Sequence, residues 1–127
     1  MDGHIAKCRA AAASASALFD RGDYDGCVNR AYYAMFDATR AYLKLRHGVD
    51  LAKIKTHAGV LTYFNRLAVQ ADNLPVDLAK SLNKAIGRRA QADYDELSVE
   101  RDAAALTLEE MAIFVEAVLK PIEEQHS

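Results

Sequence analysis

Tryptophan is absent from this sequence of 127 residues, and cysteine and proline occur only twice each. The two cysteines, Cys8 and Cys27, form no C-x-x-C pair and have helix-like neighbours, so we expect free buried thiols. The prolines, Pro75 and Pro121, leave long stretches uninterrupted, and no segment alternates polar and apolar residues with a period of two. The sequence therefore predicts helices and no strands.

The sequence also has no excess of positive charge, since 18 acidic residues outnumber 16 basic ones and give a net charge of −2. Such a chain has no overall basic field for binding nucleic acid, so any contact with RNA would have to come from a local patch. The first four residues lack the basic segment of a signal peptide, and the alanine-rich run at 10–17 is too short to span a bilayer. We therefore expect a cytoplasmic protein that does not contact a membrane.

The motifs of common cofactor and metal sites are missing as well. The four histidines are scattered along the chain, and neither H-E-x-x-H nor C-x-x-C occurs. The six glycines form no phosphate-binding loop, and no G-x-S-x-G motif indicates acyl transfer. We therefore expect no cofactor and no metal site.

Five helical segments cover most of the chain. Asp23, Thr56 and Ser98 are suited to cap helix N-termini, and Gly48 can adopt the left-handed conformation that ends a helix. The segments run from about Ile5 to Phe19, Tyr24 to Arg46, His57 to Val69, Pro75 to Ala92 and Ser98 to Ile122, with a linker at 93–97. Because the joins are short, the sequence predicts an all-α fold, an antiparallel bundle of four to five helices that forms a single domain over residues 1–127.

The second helix has the most informative pattern. Plotted at about 100° per residue, its apolar residues cover more than half of the circumference, which indicates the central helix of the bundle. The broad apolar face holds Cys27, Val28, Ala31, Tyr32, Ala34, Met35, Phe36, Ala38, Tyr42, Leu43 and Leu45. The narrow remaining stripe holds Asn29, Arg30, Tyr33, Asp37, Arg40 and Lys44.

Two interpretations of this polar stripe stay open. In the first it is a solvated face, in which Asp37 pairs with Arg30 or Arg40 and Tyr33 lies over them. In the second it is the wall of a groove, which the small free surface of a central helix favours. Arginine and tyrosine side chains in a groove are suited to a phosphate and a base.

Three short motifs connect this helix to a known family: R-A-Y-Y-A-M-F at 30–36, K-T-H-A-G at 55–59 and R-R-A-Q-A-D-Y at 88–94. In this order they resemble the HEPN superfamily, in particular the compact bacterial branch encoded beside minimal nucleotidyltransferases. The resemblance extends over about residues 17–122. It implies a helical bundle that forms a homodimer. In many members it also implies a metal-independent ribonuclease that acts as a toxin, with the nucleotidyltransferase as its antitoxin.

The family's catalytic pattern is an arginine followed, after four to six residues, by a histidine near the end of the fourth helix. The arginine would steady phosphate charge, and the histidine would move a proton. Here Arg88 and Tyr94 occupy matching places, but Asp93 stands at the histidine position. An ionised aspartate, with an ordinary pKa of about 4, is a weak base at neutral pH. The resemblance therefore leaves two alternatives, a ribonuclease and a non-catalytic module that binds a nucleotide or a nucleotidyltransferase.

The candidate site follows from the motifs and the stripe together. As catalytic residues we expect Arg88, Asp93 and His57. As residues that bind RNA or a nucleotide we expect Asn29, Arg30, Tyr33, Arg89 and Tyr94. In some members of the family, the tyrosine after the histidine is where the partner attaches a nucleotide, which implies that role for Tyr94.

Several of these residues also have a structural explanation. Arg88 and Arg89 would form an exposed pair near a helix C-terminus, where the helix dipole favours cations. His57 would be held by local hydrogen bonds at a helix start. His47 matches the family's arginine–histidine spacing in the form Arg40-x6-His47. It lies, however, at the end of the second helix and not the fourth, where the helix dipole also favours a cation.

Overall fold

The structure of the protein, a computed structural model, describes residues 2–94 and 99–125, with only the backbone of Gln91, Asp93 and Tyr94. Over those ranges the chain forms five α-helices and no strand, which confirms the predicted all-α bundle. The helices are α1 (Gly3–Asp20), α2 (Tyr24–His47), α3 (His57–Phe64), α4 (Val76–Tyr94) and α5 (Arg101–Gln125). A 3-10 helix at Leu51–Lys53 precedes α3, and a π-helix at Asn65–Ala71 follows it. None of the described helices is both long and apolar enough to cross a membrane.

Three of the four predicted helix caps are confirmed by the structure. The Asp23 carboxylate accepts from the Gly26 N–H at 2.8 Å at the start of α2. Gly48 ends the same helix with φ of 64°, a conformation that costs little without a Cβ atom. Thr56 accepts from the Gly59 N–H at 2.9 Å at the start of α3. The predicted cap Ser98 lies outside the described residues, and α5 begins at Arg101.

Two predicted boundaries are wrong. The third helix was expected to be regular as far as Val69, but it widens into a π-helix after Phe64. There the Asp72 N–H donates to the carbonyl of Leu67, five residues back. The fourth helix continues through Asp93 and Tyr94, which were expected in a linker. No proline or glycine follows Gly87 before this end, so nothing in the backbone stops the helix earlier.

Helix α2 lies at the centre of the bundle and contacts α1, α3, α4 and α5. Of its predicted apolar face, all members are buried except Leu45, which is partly exposed. Thr39 is buried too, and its hydroxyl donates to the Met35 carbonyl at 2.9 Å. Asp37, predicted in the polar stripe, is only 8% exposed. The stripe therefore does not lie open to solvent along its whole length.

Both cysteines are free and buried, as the sequence predicts. Burial raises the pKa of the Cys8 thiol and of the Cys27 thiol to about 11 each. Both thiols are therefore protonated at neutral pH, where a thiol is a poor nucleophile.

A hydrogen-bonded cluster around Asp72 joins the end of α2 to the π-helix. The hydroxyl of Tyr42, which is fully buried, donates to the Asp72 carboxylate. Nε2 of His47 lies 2.7 Å from the same carboxylate oxygen, and Nε of Arg46 lies 3.6 Å from it. Burial alone would raise the pKa of Asp72, but the hydrogen bonds from Tyr42 and His47 lower it below its ordinary value. His47 therefore has a structural role at the end of α2.

Replacing Asp72 by alanine would remove the acceptor of the buried Tyr42 hydroxyl. We expect this substitution to lower the free energy of unfolding by about 1–3 kcal/mol, because an unsatisfied buried hydroxyl is costly. Urea denaturation of the purified protein measures the change. In a Tyr42→Phe background the same substitution should cost less, since the hydroxyl is already gone. Equal losses in the two backgrounds would contradict the role assigned to this hydrogen bond.

Candidate functional site

Aromatic side chains of α2 pack together with arginines of α2 and α4 and with a histidine of α3. We call this set the cation–aromatic row. Its members are Arg30, Tyr33, Arg89, Tyr32, His57, Phe36 and Arg40. Such stacks hold a guanidinium group in place while its N–H groups stay able to donate in the plane of the group.

The first half of the row is built around Arg89 of α4. The Arg30 guanidinium carbon lies 5.5 Å from the centre of the Tyr33 ring. The Arg89 guanidinium carbon lies 5.6 Å from the Tyr33 ring and 5.3 Å from the Tyr32 ring. Its Nη2 also donates to the Tyr33 hydroxyl at 3.3 Å. One arginine therefore contacts both of the adjacent tyrosines.

The second half of the row is built around His57 at the start of α3. The Tyr32 hydroxyl lies 2.8 Å from Nδ1 of His57 and 3.3 Å from Nε2. The imidazole centre is 4.8 Å from the Phe36 ring centre. The Arg40 guanidinium carbon then lies 4.4 Å from that ring. Tyr32 and Phe36 are themselves buried, so they serve as a rigid support for groups that reach the surface.

Local sequence at the start of α3 sets the place of His57. The Thr56 cap fixes where the helix begins, and His57 is its first residue. A Cβ atom on Gly59 would lie 2.9 Å from Cγ2 of Ile54 and 3.2 Å from Oγ1 of Thr56. Glycine is therefore needed at position 59 for the cap and Ile54 to pack closely, which explains the K-T-H-A-G spacing.

The surroundings of His57 favour a neutral ring. The residue as a whole is exposed, but one side of its ring packs on Tyr32 and Phe36. This burial, and then the positive charges of Arg89 and Arg40, lower the pKa of His57 below its usual value. Burial raises the pKa of Tyr32 to about 12, so the phenol keeps its proton. At neutral pH the pair is therefore a neutral imidazole held by a neutral phenol.

Two open cavities flank the row, and Arg40 lines both. The first, the α1–α2 groove, has a volume of about 590 Å³ and is lined in part by Lys7, Asn29, Arg30, Tyr33, Asp37 and Arg40. The second, the His57 pocket, has a volume of about 340 Å³ and is lined in part by His4, Phe36, Arg40, Lys55, Thr56 and His57. Asn29, Arg30 and Tyr33, three predicted binding residues, therefore share one groove.

Asp37 gives the α1–α2 groove a mixed charge. Its carboxylate lies 3.7 Å from Arg40 Nη1 and 4.0 Å from His4 Nδ1. Burial raises the pKa of Asp37, although Arg40 and His4 act in the opposite direction. Both interpretations of the stripe are thus partly met. Asp37 pairs with Arg40, whereas Arg30 and Tyr33 line the groove.

The two adjacent arginines of α4 point to different places. Arg88 Nη1 donates to Thr107 Oγ1 at 3.1 Å and to Glu110 Oε2 at 3.3 Å. Arg88 thereby joins α4 to α5, whereas Arg89 lies in the row. The side chains of Asp93 and Tyr94 lie outside the described residues. Within the described ranges, no three His, Cys, Asp or Glu side chains are grouped as metal ligands would be.

Sequence reasoning placed Arg40 in the polar stripe but did not single out Tyr32 or Phe36 as part of the site. It assigned Tyr32 and Phe36 to the core, where the structure also places them. A buried tyrosine usually finds a partner for its hydroxyl, and this was the available signal for Tyr32. Nothing in the sequence, however, indicated that the partner is His57, which is 25 residues away.

Comparison with known proteins places the chain in a family. The sequence profile described as "HEPN domain" matches residues 2–124. A Methanocaldococcus jannaschii protein named "Putative toxin MJ0142" is 31% identical over 104 residues, 81% of this chain and 68% of that protein. An Archaeoglobus fulgidus protein named "UPF0332 protein" is 35% identical over 99 residues, 77% of this chain and 75% of that protein. A second M. jannaschii protein, "Putative toxin MJ0605", is 28% identical over 111 residues, 87% of this chain and 80% of its own length.

The charge of Arg89 should control the protonation of His57. We expect Arg89→Ala to raise the pKa of His57, because it removes a cation that disfavours the imidazolium form. NMR titration of the His57 ring measures this pKa. Arg88→Ala is the matched control, since it removes an equal charge that is bound to Glu110 rather than stacked on Tyr32. A similar rise in both variants, or in neither, would contradict the arrangement.

Proposed function

Because the chain belongs to the HEPN domain family, we propose that it is a toxin-like protein that binds RNA at the cation–aromatic row and cleaves it without a metal ion. Two similar proteins carry the word toxin in their names, which supports the first part. The hydrogen bond between Tyr32 and His57, beside the stacked Arg89, supports the second part most. It brings a potential base and a phosphate-binding cation to one surface.

In this proposal Arg89 binds the phosphate that is to be cleaved. Because the Arg89 side chain is already held against Tyr32 and Tyr33, it loses less conformational entropy when it binds a phosphate. A guanidinium group can donate two parallel hydrogen bonds to phosphate oxygens and stabilise the charge that develops on them. We assign this role to Arg89 rather than to the predicted Arg88. Arg89 lies close enough to His57 to lower its pKa, whereas Arg88 donates to Thr107 and Glu110 and joins α4 to α5. Arg30 and Asn29 would contact neighbouring phosphates or sugars from the α1–α2 groove.

His57 acts as the general base. Its neutral imidazole takes the proton of the ribose 2′-hydroxyl, and the 2′-oxygen then attacks the adjacent phosphorus. The bond from phosphorus to the 5′-oxygen breaks, which leaves a 2′,3′-cyclic phosphate and a 5′-hydroxyl group. The departing 5′-oxygen takes a proton from water or from the imidazolium. Tyr32 is a positioning residue that holds the imidazole ring and keeps its own proton.

Tyr33 and Asp93, two further members of the predicted site, also have roles in this proposal. The partly buried Tyr33 would offer a ring face on which a base can stack. Asp93 stays a predicted proton carrier, because its side chain lies outside the described residues. The proposal also includes a homodimer and a minimal nucleotidyltransferase as antitoxin partner, both of which rest on the family resemblance. It keeps the cytoplasmic location that was expected from the sequence.

Cleavage of RNA in the presence of EDTA tests this function. We expect the parent protein to cleave, and His57→Gln and Arg89→Ala to lose activity by roughly 10²–10⁴-fold, the usual contribution of a general base or a charge-stabilising donor. The parent rate should rise with pH with a midpoint below the ordinary pKa of histidine, because the deprotonated ring is the active form and the pKa of His57 is lowered. Arg66→Ala, an exposed arginine stacked on Tyr63 away from the row, should keep full activity.

The outcomes of this assay separate the parts of the proposal. Intact RNA after incubation with a large excess of parent protein would refute the ribonuclease. Cleavage by the parent and equally by His57→Gln and Arg89→Ala would place the active site elsewhere, for example at Asp93. Loss of cleavage in Arg66→Ala as well would indicate a general loss of charge or folding, which circular dichroism would identify.

A second candidate function is a non-catalytic module for a nucleotidyltransferase. The aspartate at position 93, where the family pattern has histidine, favours it. Tyr94, which follows Asp93 directly, would then be the side chain to which the partner attaches a nucleotide. Mass spectrometry after incubation with the nucleotidyltransferase and nucleoside triphosphates should show modified parent protein and unmodified Tyr94→Phe. Tyr63→Phe is the control, and a modification that survives in Tyr94→Phe would refute the assignment.

A further inference from the structure

The His57 pocket lies beyond the row, between the second half of α2 and the start of α3. Its volume of about 340 Å³ is large enough for a phosphate group and part of an attached sugar or base. Among its described lining residues are His4, Arg40, Lys55 and His57, and none of the lining residues is an aspartate or glutamate. The pocket is therefore lined by positive or protonatable groups, unlike the α1–α2 groove with its Asp37.

Two of these groups are held in place before any ligand binds. The Arg40 guanidinium lies over the Phe36 ring at 4.4 Å, and the Tyr32 hydroxyl holds the His57 ring. Prior ordering of side chains reduces the entropy that binding would otherwise cost. The pocket thus has the rigid first contacts that a specific anion site requires.

Lys55 decides the net charge of the pocket. Arg40 is partly neutralised by Asp37 at 3.7 Å, so Arg40 alone presents little excess charge. Lys55 is exposed and forms no ion pair within the described residues. It directly precedes the Thr56 cap, so it stands beside the first N–H groups of α3, where the helix dipole favours an anion. Lys55 and the start of α3 therefore supply charge that no carboxylate of the pocket cancels.

From this arrangement we propose that the His57 pocket binds a terminal phosphate group, a phosphomonoester of a nucleotide or of an RNA end. A phosphomonoester carries a charge of about −1.5 to −2 at neutral pH, which Lys55, the start of α3 and the partly neutralised Arg40 would compensate together. An internal phosphate carries only a single charge, so it would compensate less of the positive charge that lines the pocket. This inference rests on the proposed function only where it names RNA as the source of the phosphate. Arg40 and His57 belong both to this pocket and to the cation–aromatic row.

Calorimetric titration with ligands that cannot be cleaved tests the pocket independently of catalysis. The probes are 2′-O-methyl hexanucleotides with a 5′-phosphate, with a 3′-phosphate or with neither, together with AMP and adenosine. We expect at least one phosphorylated probe to bind the parent roughly tenfold more tightly than its unphosphorylated counterpart, as for a charge-assisted contact. Lys55→Ala should remove most of that difference. Lys53→Ala, an exposed lysine two residues earlier that does not line the pocket, should preserve it.

The results also identify the source of the phosphate. Tighter binding of a phosphorylated hexanucleotide than of AMP supports an RNA end, and equal binding supports a free nucleotide, both in agreement with the phosphate pocket. Equal affinity for phosphorylated and unphosphorylated probes would overturn the proposal. An equal loss of the preference for phosphorylated probes in Lys55→Ala and Lys53→Ala would also overturn the proposal. A protein that fails to cleave RNA but shows the Lys55-dependent preference would refute the ribonuclease alone.

Discussion

The burial of α2 among four other helices is the constraint on which the other features of this protein depend. Thirteen of its 24 residues are buried, and it contacts α1, α3, α4 and α5, so any polar group on its buried faces must find a partner nearby or lie in a cleft. Tyr32 and Tyr42 are both fully buried, and each hydroxyl reaches a histidine or a carboxylate on a neighbouring segment. The polar contacts of α2 therefore select the positions of the segments around it.

Helix α2 contains two tyrosines that lie close to a histidine, and the two pairs differ in the charged groups beside them. At the end of α2, Tyr42 and His47 share Asp72, so the contact is compensated by a carboxylate and joins two segments. In the cation–aromatic row, Tyr32 holds His57 beside Arg89 and Arg40, and burial together with these two cations lowers the pKa of the imidazole. A neutral imidazole among cations is suited to an anionic ligand and to proton transfer. The same residue types thus stabilise the fold in one place and form a candidate site in the other.

The fold and the candidate site also depend on different kinds of local detail. The close approach of Ile54 and Thr56 to Gly59 sets the start of α3 and hence the position of His57. The contact of Arg88 with Thr107 and Glu110 orients α4 against α5, and the next residue, Arg89, then meets the tyrosines of α2. Two adjacent residues of α4 therefore have different contacts. Arg88 packs against α5, and Arg89 belongs to the candidate site.

The sequence by itself determined the helical class, the three helix ends at Asp23, Gly48 and Thr56, and the central place of α2. These follow from local causes: capping by Asp23 and Thr56, the left-handed Gly48, and the wide apolar face between Cys27 and Leu45. The π-helix after Phe64 and the continuation of α4 through Tyr94 were not predicted, since no residue type in those stretches marks them. Only the tertiary structure decided that Arg89 rather than Arg88 faces α2 and that Tyr32 meets His57. Such contacts join residues far apart in the chain, and their geometry depends on how the helices pack rather than on any short sequence pattern.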